Sequence, residues 1–98
     1  MTSETPLDMS KLEDLDTDKE LIRAGLIAEL DAVNFYEQCA ATTKDEKLKS
    51  VFLDIAREEK AHIGEFQTLL LDRDEEQGEE IVDGGAEVEE LTSNMEQK

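Results

Sequence analysis

A chain of 98 residues forms one small domain, and its 27 acidic against 10 basic residues leave a net charge of −17. Such a surface repels the phosphates of nucleic acid and the head groups of an anionic membrane, which excludes both as partners. No stretch approaches the roughly 20 apolar residues of a membrane span.

Residues 1–16 mix Pro6 and five acids with scattered apolar residues and show no sustained period, so a flexible N-terminal arm is expected, with at most one helical turn around Met9–Leu15. The arm also lacks the basic and apolar regions of a signal peptide, and the reading is cytoplasmic. Thr17-Asp-Lys-Glu20 has the pattern of a capping box and predicts a first helix from there to about Ala41. Gly25 interrupts it at a cost of roughly 1 kcal/mol relative to Ala, to be offset by a close helix approach or tolerated on the surface. Cys39, the only cysteine, cannot form an internal disulfide and reads as a small packing residue.

Thr43-Lys-Asp-Glu46 repeats the capping-box pattern, so a short turn near Thr42–Thr43 should lead into a second helix that ends about Leu71. Residues 17–72 are therefore expected to form an antiparallel helical hairpin. From there the composition shifts, with 11 acids and two bases over residues 72–98 and glycines at 78, 84 and 85. Segment 73–98 reads as an acidic, partly ordered tail with one short helix over 74–82 and a weak one over 86–95. A docking segment for a partner is its sharper reading.

Steps of four and three pick out Leu48, Phe52, Ile55, Glu59, His62, Phe66 and Leu69 on the second helix, and Ile22, Leu26, Glu29, Val33, Tyr36 and Ala40 on the first. Both seams are apolar except near their middles. Glu59 and His62, at i and i+3, share one helix face. A hairpin turning near Thr43 sets residue 29 opposite about residue 57, so three metal-ligand types converge inside an apolar interface.

A helical di-iron carboxylate site takes a Glu from each of two helices and a Glu-x-x-His from each of two more. This chain holds half of that set in Glu29, Glu59 and His62, and two amphipathic helices cannot shield their own apolar seams. One two-fold dimer completes the ligands and the core together, which predicts an all-α fold: an antiparallel two-helix hairpin that dimerises into a four-helix bundle, followed by a short C-terminal helix. Tyr36, two turns beyond Glu29, either hydrogen-bonds a ligand and carries electrons or is a core tyrosine. Asp31, off the seam, is a candidate for an outer site of metal uptake against a solvated surface role. Two rivals stand beside an iron oxidase: a rubrerythrin-like di-iron peroxide or oxygen reductase, disfavoured by the lack of a Cys-x-x-Cys iron site, and a metal-free helical scaffold in which the polar residues fix helix register.

The stretches Ile27-Ala-Glu-Leu-Asp-Ala-Val-Asn-Phe-Tyr-Glu-Gln38 and Asp54-Ile-Ala-Arg-Glu-Glu-Lys-Ala-His-Ile-Gly-Glu-Phe66 resemble the encapsulated ferritins, two-helix ferritin-like proteins that work inside encapsulin nanocompartments. The resemblance covers about residues 18–72. It implies a ferroxidase centre shared between two subunits, with iron held by Glu29, Glu59 and His62 and with Tyr36 beside it as a further catalytic residue. It also implies dimers gathered into a ring, commonly a decamer, an encapsulin shell protein as partner, and storage of the oxidised iron within that shell. Calcium or another divalent cation at subunit interfaces is a further candidate. Phe35 stands where the family often has Trp, and Ala28 and Asp31 stand where some members have two glutamates of an outer uptake site, which weakens that site here. Residues 93–98 carry no Gly/Leu-rich shell-targeting peptide, and the Gly84–Leu91 stretch looks more like members fused ahead of the shell protein.

Overall fold

A computed structural model describes residues 17–96, so the N-terminal arm and the turn around Met9–Leu15 lie outside it. Three helices follow in order, α1 (Thr17–Thr42), α2 (Glu46–Arg73) and α3 (Glu75–Glu96). Helices α1 and α2 pack antiparallel along their lengths, while α3 meets the hairpin at its root, beside the end of α2.

The turn is capped differently from the expected box. Asp45, rather than Thr43, is the N-cap of α2, its Oδ1 accepting from the N–H groups of Lys47 (2.8 Å) and Leu48 (3.1 Å). Thr43 closes the preceding helix instead, donating its N–H to the Cys39 carbonyl, and its hydroxyl oxygen accepts from the Asp45 N–H. Aspartate wins because its charge also complements the positive end of the helix dipole. The turn is thus residues 43–45, as short as the seam register requires.

The interface between α1 and α2 is thin. Its buried apolar residues are Ile22, Ala24, Val33, Ala40, Ala56 and Leu70, three of them alanines. Gly25 lies here, not on the open surface: a Cβ built on it would come within 3.1 Å of the Phe66 ring. Leucines and valines that a larger core would absorb stay open, among them Leu21, Leu30, Leu48, Val51, Leu53 and Leu69.

Beyond the hairpin the structure departs from a partly ordered tail. One helix of 22 residues runs where two short ones were expected, straight through Gly84-Gly85. No glycine among the described residues has a positive φ, so the pair keeps right-handed helical geometry, and glycine there costs helix stability without compelling a break. Glu75 and Glu76 occupy the first turn, where acids favour a helix N-terminus.

A single residue joins α2 to α3. Asp74 donates its N–H to the Leu70 carbonyl (2.9 Å), its Oδ1 accepts from the Gln77 N–H (3.0 Å), and its Oδ2 takes the Arg23 guanidinium of α1 (2.8 Å). The Gln77 hydrogen bond, and after it the hydrogen bond from Arg23, hold the Asp74 carboxyl below the usual range. The molecule is consequently a flat L of 50 × 47 × 19 Å with a radius of gyration of 17.4 Å, against about 13 Å for a compact chain of 100 residues.

Two outcomes check this packing. Gly25→Ala alone is expected to be neutral or destabilising by denaturant unfolding, but to stabilise by up to about 1 kcal/mol in a Phe66→Leu background, where helix propensity acts without the clash; independent, additive effects would contradict the contact. Asp74→Ala removes a cap and an ion pair together, and amide exchange at Gln77 and Gly78 is expected to rise by roughly fivefold or more.

Candidate metal centre

Helix α1 runs from 17 to 42 and α2 from 46 to 73, so Glu29 and Glu59 each sit at the middle of their helix. Antiparallel packing with a three-residue turn brings those midpoints together. His62, one turn beyond Glu59, completes the cluster: its Nδ1 lies 3.4 Å from Glu29 Oε2 and 3.6 Å from Glu59 Oε2. One ligand atom from each of the three lies within 4.8 Å of the others, and no other such group of His, Cys, Asp or Glu exists among the described residues.

The environment is half dry. Both glutamate side chains retain 20% of their exposure and the imidazole 46%. Glu29 Oε2 is fully buried and has no hydrogen-bond partner. A buried carboxylate oxygen without a donor is costly, and three convergent donors, two hard oxygens and an imidazole nitrogen, are what a divalent transition metal accepts. The residues therefore fit a metal ion. Beside them a cavity of about 220 Å³ is lined by Glu29, His62, Glu65, Phe66 and Leu69.

The three groups perturb one another electrostatically. Burial, and after it the Glu59 carboxylate, push Glu29 above its ordinary pKa. Desolvation pulls the His62 imidazole down, but the Glu29 and then the Glu59 carboxylates together outweigh it and hold His62 above its ordinary value.

Tyr36 does not join the cluster. Its ring stacks on Phe52 of α2 (centroids 6.3 Å, 29°) and meets Phe35 edge-on (5.1 Å, 77°), two helical turns from Glu29. Asp31 is half-buried on α1 and also stands outside the ligand group. Glu65 was not singled out by the seam, although it lies three residues after His62, and that spacing was the available signal for its place on the cavity wall. Lys60 is exposed and bridges to Glu37 of α1 at 2.9 Å.

A long antiparallel hairpin with a Glu and a Glu-x-x-His facing each other at its centre defines one half of a ferritin-like helical unit. Comparison with known proteins makes this specific. Residues 5–81 match the EncFtn-like family model, and the chain belongs to that family. It is 55% identical over 73 residues to a ferritin-like-encapsulin shell fusion protein of Pyrococcus furiosus, a match that covers 74% of this chain and 21% of that protein. The chain thus spans about a fifth of that curated relative's length. It also superposes on the crystal structure of the encapsulated ferritin domain from Pyrococcus furiosus with a TM-score of 0.79 and 42% identity, covering 92% of this chain and 97% of that one.

The two raised groups set a pH prediction. In the metal-free protein the folded state holds protons on Glu29 and His62 more tightly than the unfolded chain does, so stability is greatest on the acid side and falls as pH rises through their raised values. Metal requires both groups deprotonated, so metal-loaded protein should lose stability as pH falls through the same window. Opposite slopes of Tm against pH, with and without divalent metal, are the expected result; parallel slopes would count against the cluster as a metal site.

Proposed function

We propose that two copies of this chain pair across a two-fold axis through the cluster and together form a di-iron ferroxidase centre, which oxidises ferrous iron with dioxygen. The orphaned Glu29 oxygen facing Glu59 and His62 is the observation that carries this reading. The placement of the ligands at both helix midpoints supports it, because an axis there lets the helices of two hairpins overlap over their full length. Residues 48, 55, 62 and 69, seven apart on one side of α2, present His62 among Leu48, Ile55 and Leu69 on the surface that such a partner would cover.

Charge favours the same stoichiometry. Two Glu29 and two Glu59 bring four negative charges, which two divalent cations neutralise. In the bundle Glu29, Glu59 and His62 of both copies would hold the ions. Iron bound there supplies one-electron chemistry towards oxygen. The protein's part is to collect two ferrous ions in a site walled by Phe66 and Leu69 and to balance their charge, with the proton that the carboxylates favour on His62 given up as metal binds. Tyr36, in its aromatic stack, is proposed as the neighbouring redox-active or hydrogen-bonding group, and Asp31 as a weak outer site of metal uptake.

An open hairpin pair has no cavity in which to store mineral. The relative's name couples a ferritin-like part to an encapsulin shell, and we place this chain inside such a shell, as ring-forming dimers whose oxidised iron is stored by the surrounding compartment.

Anaerobic titration with Fe(II) is expected to saturate at one metal per chain. Association should tighten on loading, since metal removes the repulsion among four carboxylates. Oxygen uptake should proceed without added reductant and fall by roughly a hundredfold or more in Glu59→Gln or His62→Ala. Uptake that needs an external reductant would indicate the reductase chemistry of rubrerythrins, and the absence of saturable binding would indicate a metal-free scaffold. An unchanged dimerisation constant on metal loading would remove the shared site.

A further inference from the structure

The cavity beside the cluster carries one acid that the ligand set does not use. Its walls are Glu29, His62, Glu65, Phe66 and Leu69, and Glu59 is not among them. A cation crossing this space therefore meets Glu29 and His62 before Glu59. Glu65 is the only carboxylate on the wall outside the ligand group. It stands three residues beyond His62, so Glu59, His62 and Glu65 follow one another along α2 at steps of about 4.5 Å.

Exposure gives the cavity a direction. Glu65 is exposed, while the His62 side chain retains 46% of its exposure and Glu29 20%. The remaining walls are apolar, and the Phe66 ring is seated against Gly25. A hydrated divalent ion leaving solvent exchanges its water oxygens for protein oxygens, and an apolar wall supplies none. Glu65 is the first donor on that route. Its carboxylate is also uncommitted: it makes no hydrogen bond or ion pair with another described residue, whereas Asp54, Glu37 and Asp74 are each tied to a base. In a chain with 27 acids a solvated glutamate needs no special role. What sets Glu65 apart is its place on the wall it shares with Glu29, whose buried oxygen has no donor.

We propose that Glu65 is the capture ligand of this centre. It takes ferrous iron from solvent at the mouth of the cavity and passes it inward to Glu29 and His62, setting how fast the site fills rather than how tightly it holds. The inference rests on the di-iron reading above and adds a residue which that reading does not use. Residue 65 stands about 60° round α2 from residue 62, on the flank away from Phe66. That is the edge of the surface a partner copy would cover, so the carboxylate borders solvent in the pair as well. Asp31, on α1, does not line this cavity, and the two acids can be tested apart.

Oxygen uptake by the full chain, measured against Fe(II) concentration in moderate salt, tests this. In Glu65→Gln the concentration giving half the maximal rate is expected to rise about tenfold, with the saturating rate within about twofold of wild type. Rapid anaerobic mixing with Co(II), read by its visible absorbance, should show loading slowed by a similar factor, while equilibrium titration still ends at one metal per chain. Glu65→Asp keeps a carboxylate and should recover most of the loading rate. Glu80→Gln on α3 removes the same charge far from the cavity and should behave as wild type. Loading of Glu65→Gln at the wild-type rate would overturn the proposal and leave the metal centre standing. So would a Glu65→Gln chain that no longer binds its metal, since Glu65 would then be a ligand of the centre itself, or an equal slowing in Glu80→Gln, which would reduce the effect to net charge. Wild-type chains with no saturable binding would overturn the di-iron reading, and this inference with it.

Discussion

The structure depends on a conflict placed at the middle of an apolar interface: two carboxylates and an imidazole converge where a helix pair would otherwise bury leucine. A buried, undonated Glu29 oxygen is unfavourable in the isolated chain, and the surrounding groups respond by favouring protons on Glu29 and His62. The α1–α2 contact is built largely from alanine and a few branched residues, so it has little stabilisation to spare for an unmet charge. A cation between these three groups would relieve the conflict where it arises.

The same economy explains the exposed apolar surface. A hairpin closed by small residues lets two backbones approach closely, as at Gly25 and Phe66, but it turns its larger side chains outward. Those outward residues fall on two opposite sides. One contains His62, and the other contains the Lys60–Glu37 bridge and the root of α3. A chain of this size buries little of its apolar surface by itself.

Much of this was legible in the residues. The two seams and the short turn fixed the register, and register alone brought Glu29 to Glu59 and His62, because helix geometry leaves few ways to align two apolar stripes. The cap was misplaced by two residues, since Thr43 and Asp45 both fit capping chemistry and only the local hydrogen bonds separate them. The third helix was read as two fragments because glycine pairs usually punctuate, and the sequence does not reveal that its seven-residue stripe spans them. The place of Gly25 was ambiguous until the ring of Phe66 was seen against it. Glu65 and the Arg23–Asp74 tie were illegible, for they depend on which way side chains turn once the helices have crossed.

The joint at Asp74 has a mechanical consequence. With no slack between α2 and α3, α3 is a lever about 33 Å long pivoting on one amino acid. A rotation of about 10° there would sweep its far tip through about 6 Å, more than one helical turn. The carboxyl gripped by Gln77 and Arg23 therefore sets where Met95 can reach, and the curvature of anything built by stacking such levers is decided by a single aspartate.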